Sequence, residues 1–143
     1  MKFENYMNLE FPSKSCNEAF ARSAVACFAA QLDPTIEELG DIRTAVSEAV
    51  TNCIVHAYPN ELGIVTLRCR ILKGNVLDIV VKDKGIGISD LEQARKPMFT
   101  TGGADRSGMG FTIMESFMTS FSLTSQPGKG TTVHMRRKLG RRK

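Results

Sequence analysis

The apolar positions between Asp41 and Tyr58 recur at intervals of three and four residues, a period typical of a helix with one buried face. The apolar stripe comprises Ile42, Val46, Ala49, Val50, Cys53 and Ala57. Glu48 and Asn52 lie four residues apart and off this stripe, so they project in nearly the same direction. A carboxylate and an amide one turn apart can accept a proton and bind a hard cation such as Mg²⁺. A solvated polar face is the alternative explanation of this pair.

The segment before this central helix predicts another helix. Ser15 and Glu18 have the spacing of a capping box, and the helix that they begin runs to about Leu32. Asp33 then caps the central helix, and Pro34 occupies its first position. One side of the first helix is predicted to carry Phe20, Ala24, Cys27, Phe28 and Gln31.

Alternating apolar and polar residues predict the strands, and Gly74-Asn75 predicts a hairpin turn between the second and third of them. A last helix is predicted from Phe111 to Met118, before the final two strands. The predicted strands are one that ends near Pro12, then 64–72, 76–83, 121–125 and 131–138. This order predicts a two-layer α/β sandwich, with a mixed, mostly antiparallel sheet covered on one face by helices.

Strand parity places Asp83 on the inner face of the third strand, where a carboxylate costs several kcal/mol unless a partner satisfies it. Gly85 and Gly87 follow directly and let the backbone approach a ligand closely. Residues 98–110 show no periodicity and hold four glycines, a composition typical of a mobile lid. The glycines that open the last helix leave free N–H groups, which favour a phosphate.

At 143 residues, the chain is long enough for one domain, spanning 1–143. The net charge of +4 is concentrated at the end of the chain, so 136–143 is predicted to be a basic, frayed tail. Contact with nucleic acid or an acidic partner is the alternative role for this tail. No apolar run reaches the length of a membrane span and no signal peptide opens the chain, so we expect a cytoplasmic protein without a membrane partner. Reduced, mostly buried thiols are expected at Cys16, Cys27, Cys53 and Cys69.

In this order the central helix, Asp83 with its two glycines, and the glycine-rich stretch resemble the Bergerat (GHKL) ATP-binding fold of gyrase, Hsp90, histidine kinases and MutL. Whole phrases, among them Val46–Asn52 and Arg106–Glu115, resemble more closely the anti-sigma F factors, serine-protein kinases of sporulating bacteria. This resemblance covers the chain from about Asn5 to Leu139. The sequence departs from the family pattern at Gly102–Asp105, where the family carries a slightly longer stretch that contains Lys-Pro.

The resemblance implies a role for each matching residue. Asp83 would bind the adenine amino group with support from Thr131, and Asn52 would ligate the Mg²⁺ of bound ATP. Glu48 would be the general base. Arg22 would lie on the surface that faces partners, unless it is an ordinary exposed helix arginine. The other nucleotide-binding positions would be Gly85, Gly87, Thr100, Thr101, Arg106, Ser107, Gly108, Met109 and Gly110.

The resemblance also implies an activity and its partners. The protein would be an ATP- and Mg²⁺-dependent serine-protein kinase that phosphorylates an anti-anti-sigma factor. As a homodimer it would also bind and sequester sigma factor F, without direct contact with nucleic acid. Two alternatives stay open: an anti-sigma kinase of the general stress response, and an ATP-binding sequestration module without kinase activity.

Overall fold

A computed structural model describes residues 3–58, 61–86 and 110–140 of the chain. A 3₁₀ turn, Ala30–Leu32, follows the first helix, and a π-helical turn, Cys53–Ala57, extends the second. Along these ranges the elements are β1 (Phe3–Pro12), α1 (Cys16–Ala29), α2 (Ile36–Asn52), β2 (Ile64–Leu72), β3 (Val76–Asp83), α3 (Gly110–Phe117), β4 (Ser120–Gln126) and β5 (Gly130–Lys138). No helix within them is long and apolar enough to cross a membrane.

The strands form one sheet in the order β1-β2-β3-β5-β4, and every neighbouring pair in the described ranges is antiparallel. Alternate residues of β2 and β3, such as Leu67 and Ile79, are fully buried on the face that the helices cover. Helix α2 packs between α1 and α3 on this face. The predicted two-layer α/β sandwich is therefore confirmed.

The hairpin between β2 and β3 is confirmed at the predicted turn. Gly74 and Asn75 both have positive φ, at 84° and 66°. Two consecutive left-handed residues match the twist of the flanking strands, and glycine and asparagine adopt this conformation at the lowest cost. The turn fixes the register of β3 against β2, with Val65 opposite Asp83 at the far end. The side chain of Asp83 consequently faces the helices.

The N-cap residues predicted for α1 and α2 are both wrong. Thr35, whose ψ of 165° is extended, caps α2 and exchanges a reciprocal pair of hydrogen bonds with Glu38, at 3.0 and 2.9 Å. Asp33 instead ends the 3₁₀ turn in the left-handed region, with φ of 52°. Ser15 has helical φ and ψ and makes no side-chain cap. An N-cap side chain reaches back to the helix only from an extended backbone, which spacing alone does not reveal.

The buried face of α1 also differs from the predicted one. Ala21, Val25 and Phe28 are buried, whereas Phe20 is 53% exposed and Cys27 is exposed. Apolar residues lie almost all around this helix, so two stripes compete. The stripe that is buried holds Ala21, Val25, Phe28 and Ala29, and α1 packs against α2 and the sheet. Only Cys53 and Cys69 are buried, although all four cysteines are free thiols.

The basic segment expected to fray is ordered through residue 140. Residues 136–138 complete β5, and Arg137 pairs with Asp41 of α2 at 2.8 Å. Leu139 is buried, and its N–H donates to the carbonyl of Asn75 at 2.9 Å. The predicted strand 131–138 is therefore confirmed, and the expected fraying from residue 136 is wrong, because the alternating pattern continues to Leu139 and outweighs the charge. Residues 141–143 lie outside the described ranges.

Candidate functional site

The polar face of α2 ends where the helix widens into its π-helical turn. Glu48 and Asn52 are both half-buried, and Asn52 is the last residue before the turn. The carboxylate of Glu48 reaches the first residue of α3, since a Cβ added to Gly110 would lie 3.1 Å from Glu48 Oε1. The carboxylate of Glu48 therefore lies beside the start of α3, and Asn52 follows it by one turn at the end of α2.

Asp83 lies at the end of β3 and is only 2% exposed, so the predicted inward orientation is confirmed. Its Oδ1 accepts hydrogen bonds from the backbone N–H of Gly85, at 2.9 Å, and of Thr131, at 3.2 Å. Its Oδ2 accepts from the thiol of Cys53, at 3.4 Å. Among the described residues no cation pairs with Asp83. Three neutral donors, from β5, the π-helical turn and the residues after β3, satisfy the buried charge instead.

Thr131 supports Asp83 through its backbone, because its side chain is engaged elsewhere. Its hydroxyl shares a hydrogen bond of 2.8 Å with the hydroxyl of Ser125 on β4. Gly130, just before it, has φ of +101°, and a Cβ there would lie 2.2 Å from the carbonyl oxygen of Asp83. Only glycine allows β5 to start this close to the end of β3.

The π-helical turn docks on the backbone that follows Asp83. The carbonyl of Ala57 accepts a hydrogen bond from the N–H of Ile86 at 2.9 Å. A Cβ on Gly85 would lie 2.1 Å from the same carbonyl oxygen. The end of a helix leaves its last carbonyls free, and here one of them binds the Asp83–Ile86 segment. Gly85 is thus required by close packing against the helix end.

Tyr58 also holds the helix end against the segment that follows β3. Its hydroxyl accepts a hydrogen bond from the N–H of Lys84 at 2.7 Å and donates to the carbonyl of Ile64 at 2.8 Å. Burial raises the pKa of the Tyr58 hydroxyl above its ordinary value, so the hydroxyl stays neutral and able to donate. Tyr58, the residue after the π-helical turn, thereby fixes the helix end against both β2 and the segment that follows β3.

Residues 11–137 match the family described as the histidine kinase-like ATPase domain. The anti-sigma F factor of Caldanaerobacter subterraneus is 58% identical over 142 residues, and the alignment covers 99% of each chain. The anti-sigma F factor of Clostridium acetobutylicum is 52% identical, with 95% of each chain covered.

The chain belongs to the anti-sigma F factor family.

Solved structures agree on the fold of this family member. The structure of the RsbU and RsbW domains of a Mycobacterium tuberculosis protein superposes with a TM-score of 0.72 at 16% identity, covering 97% of this chain and 34% of that one. A blue-light activated histidine kinase of Erythrobacter litoralis superposes with a TM-score of 0.60 at 24% identity, covering 82% of this chain and 40% of that one. This chain therefore spans about a third of the first structure and two fifths of the second. At these identities the superpositions establish the fold alone.

In this anti-sigma F factor family member, the contacts place predicted site residues of the described ranges in two groups, one around Asp83 and one around Glu48. Contacts link the π-helical turn after Asn52 to Asp83, Asp83 to Gly85 and Thr131, and Glu48 to Gly110. The remaining predicted positions lie outside the described residues: Gly87, Thr100, Thr101, Arg106, Ser107, Gly108 and Met109. The glycine-rich segment that departs from the family pattern, Gly102–Asp105, lies there as well.

Glu48 also faces a polar cavity of about 310 Å³ between α1 and α2. Arg22 of α1 lines it and forms an ion pair with Glu18 at 3.5 Å. The other lining residues are Gly40, Arg43, Thr44 and Ser47. Sequence reasoning missed these α2 residues, although Gly40 and Thr44 precede Glu48 by eight and four residues, a spacing that places them on its side of the helix.

The polar groups of the described site suit a nucleotide. No group of three His, Cys, Asp or Glu residues that could hold a metal ion occurs in the described ranges. A Mg²⁺ ion at Asn52 would therefore take most of its oxygen ligands from phosphate and water, as this ion often does. Asp83 has about four lone-pair directions, and donors from the described residues use three of them; the fourth suits an amino group such as that of adenine. The match to an ATPase domain likewise implies ATP binding.

Proposed function

We propose that this protein is an ATP- and Mg²⁺-dependent serine-protein kinase that phosphorylates an anti-anti-sigma factor and also sequesters sigma factor F. One observation carries the proposal: Glu48 stands between the nucleotide side of the site and an open polar cavity. Its carboxylate lies against Gly110 at the start of α3, and the same residue lines the cavity with Arg22. A hydroxyl entering from the cavity would meet a base beside the phosphate end of the site.

Each described residue has a defined task in this proposal. Asp83 binds the adenine amino group, and the N–H groups of Gly85 and Thr131 hold the carboxylate in place. Asn52 ligates the Mg²⁺ that screens the charge of the phosphates. Glu48 accepts the proton of the attacking serine hydroxyl.

The N-terminus of α3 supplies the positive end of a helix dipole to the phosphates. Gly110 is its first residue and lies against Glu48. A developing negative charge at the transferred phosphoryl group is stabilised at such a position. By the family resemblance, the segment before α3 adds Arg106, Ser107, Gly108 and Met109 to the phosphate contacts, and Thr100 and Thr101 belong to a lid.

We assign sequestration to the surface around the cavity. Arg22 is a half-buried cation at its rim, which suits recognition of a partner protein. If sigma factor F and the anti-anti-sigma factor share this surface, binding of one weakens binding of the other by the same coupling free energy. The relatives are named for sigma factor F, which favours this circuit over the general stress response. We place the protein in the cytoplasm, as a homodimer.

The test is incubation of the full chain with radiolabelled ATP and a candidate anti-anti-sigma protein, with the labelled serine then mapped. We expect label on one serine of that protein. Glu48→Gln should bind ATP as the wild type does and transfer phosphate about 100-fold more slowly, since general-base catalysis contributes this much or more. Glu37→Gln, an exposed change on the same helix, is the matched control and should be fully active.

Two results would contradict the proposal. Binding of ATP and sigma factor without any transfer by the wild type would leave only the sequestration function. Full transfer by Glu48→Gln would reject Glu48 as the base while retaining the kinase.

A further inference from the structure

Cys53 occupies an apolar position of α2 by sequence, but its thiol is not a passive part of the core. It begins the π-helical turn, directly after Asn52, and is only 3% exposed. Its sulfur lies 3.4 Å from Oδ2 of Asp83, within the reach of a thiol hydrogen bond. The carboxylate assigned to base recognition is therefore in contact with a neutral donor from the helix that carries Glu48.

The donors of Asp83 are divided unevenly between its two oxygens. Both backbone N–H groups, from Gly85 and Thr131, bind Oδ1. Cys53 is the donor to Oδ2 among the described residues. The lone pairs of a carboxylate oxygen lie in the carboxylate plane, so the two donors on Oδ1 restrain that plane. The thiol occupies one of the two lone-pair directions of Oδ2, so the donor of a ligand is directed to the other.

The thiol of Cys53 is the donor in this contact, because the carboxylate oxygen that it meets accepts hydrogen bonds and has none to give. A serine at this position would also donate, whereas alanine or valine would leave Oδ2 without its donor. The polar contact can therefore be removed while most of the packing is retained.

We propose that Cys53 is a positioning residue for nucleotide selection, whose thiol aims the free lone pair of Asp83 Oδ2 at the 6-amino group of a purine. The inference rests on the proposed role of Asp83 in binding the base. It adds a residue that favours 6-amino purine nucleotides, such as ATP, over 6-oxo purine nucleotides and over a purine without a substituent at this position. A 6-oxo group would place an acceptor against the carboxylate.

The experiment compares two probes on the full chain by calorimetry. One is ATP, and the other is purine riboside triphosphate, which has hydrogen in place of the 6-amino group. Cys53→Ala and Cys53→Val should weaken ATP binding by about threefold to tenfold, because one hydrogen bond from a weak thiol donor is lost. Neither change should alter the affinity for purine riboside triphosphate by more than about twofold. Cys53→Ser should keep the wild-type ratio of the two affinities because it retains a donor.

Cys69→Val is the matched control, since Cys69 is a second buried thiol, on β2, with no contact to Asp83. Its ratio of the two affinities should equal that of the wild type. Equal weakening of both probes by Cys53→Ala and Cys53→Val would overturn the positioning role and leave Cys53 a packing residue. A wild type that binds both probes equally would overturn the proposed role of Asp83 itself, so the two failures are distinguishable. Thermal unfolding of each variant verifies that it is folded at the temperature of the titration.

Discussion

The carboxylate of Asp83 is buried at the end of β3. Among the described residues, three neutral donors form hydrogen bonds to it. These donors are two backbone N–H groups and a thiol, so they stabilise the carboxylate without contributing a positive charge. A hydrogen bond to a charged acceptor is worth about twice a neutral one. The carboxylate is therefore suited to discriminate an amino group from a carbonyl at the base of a nucleotide.

Asp83→Asn should weaken ATP binding by about tenfold or more, because a charge-assisted hydrogen bond is lost. Calorimetry on the purified variant measures this effect. Asp33→Asn is the matched control, since Asp33 is exposed and its left-handed conformation, φ of 52°, suits asparagine equally well. Unchanged ATP affinity in Asp83→Asn would show that the carboxylate does not contact the nucleotide.

At the residue scale, parity along β3 was enough to predict that Asp83 faces inward, and helical spacing was enough to pair Glu48 with Asn52. The thiol contact of Cys53 was not predictable from either pattern. Its position in the apolar stripe indicates only burial, and its partner is distant in the sequence and approaches through tertiary packing. Thr131 was correctly placed beside Asp83, but its contribution through the backbone depends on the partner that its hydroxyl finds in Ser125.

At the scale of elements, the site depends on how the end of α2 docks on the strands. The π-helical turn, Tyr58 and Gly85 together hold the helix end against the segment after β3. The apolar period of α2 continues through the π-helical turn, so the turn was not visible in the sequence. The strands, in contrast, were predicted nearly to the residue because a period of two and the Gly74-Asn75 turn are unambiguous.

Tyr58→Phe should lower the free energy of unfolding by about 1–3 kcal/mol, because the N–H of Lys84 and the carbonyl of Ile64 lose their partner. Urea denaturation followed by circular dichroism measures the change. Tyr6→Phe is the control, since Tyr6 is 54% exposed on β1, and should change stability by less than about 0.5 kcal/mol. Equal effects of the two variants would contradict the bridging role of Tyr58.

The turn between β4 and β5 allows a second test at this scale. Gly128 and Gly130 both have positive φ, but a Cβ has free space at Gly128 and would meet the carbonyl oxygen of Asp83 at Gly130. Gly128→Ala should cost about 1 kcal/mol for the backbone strain alone. Gly130→Ala should lower the free energy of unfolding by about 3 kcal/mol, because steric overlap adds to the strain. Urea denaturation measures this free energy for both variants. Equal losses would show that β5 need not start so close to Asp83.

At the scale of the whole molecule, the sheet carries charge on the face that the described helices leave uncovered. Asp78 on β3 is fully buried there beneath Arg70 of β2 and His134 and Arg136 of β5. Alternation along β3 predicts an outward polar residue at Asp78. Its burial follows only from the long side chains that cover it from both neighbouring strands. This cluster joins three strands, whereas the apolar core joins the sheet to the helices.

Stability should depend on pH through Asp78. Burial alone would raise the pKa of its carboxyl, but hydrogen bonds from His134 and Arg136, the charge of His134 and a hydrogen bond from Arg70 outweigh burial and hold the pKa below its ordinary value. A lowered folded pKa stabilises the protein above the unfolded pKa, which is near 4, and this contribution disappears as the pH falls through the folded value.

Asp78→Asn should therefore be about 2 kcal/mol less stable than the wild type at pH 7, and the gap should narrow as the pH falls below about 4. Urea denaturation at several pH values measures both. Asp41→Asn, which removes the more exposed ion pair with Arg137, should cost less than about 1 kcal/mol. If the difference in the free energy of unfolding between the wild type and Asp78→Asn stays constant as the pH falls below about 4, the Asp78 charge does not stabilise the fold.

The central claim is that the end of α2, the end of β3 and the start of α3 form one nucleotide site. A crystal structure with Mg²⁺ and a non-hydrolysable ATP analogue tests it most directly. We predict an adenine amino nitrogen about 3 Å from Oδ2 of Asp83 and a metal ion about 2 Å from the side-chain oxygen of Asn52. A nucleotide bound elsewhere, with Glu48 and Asn52 turned toward bulk water, would contradict the claim.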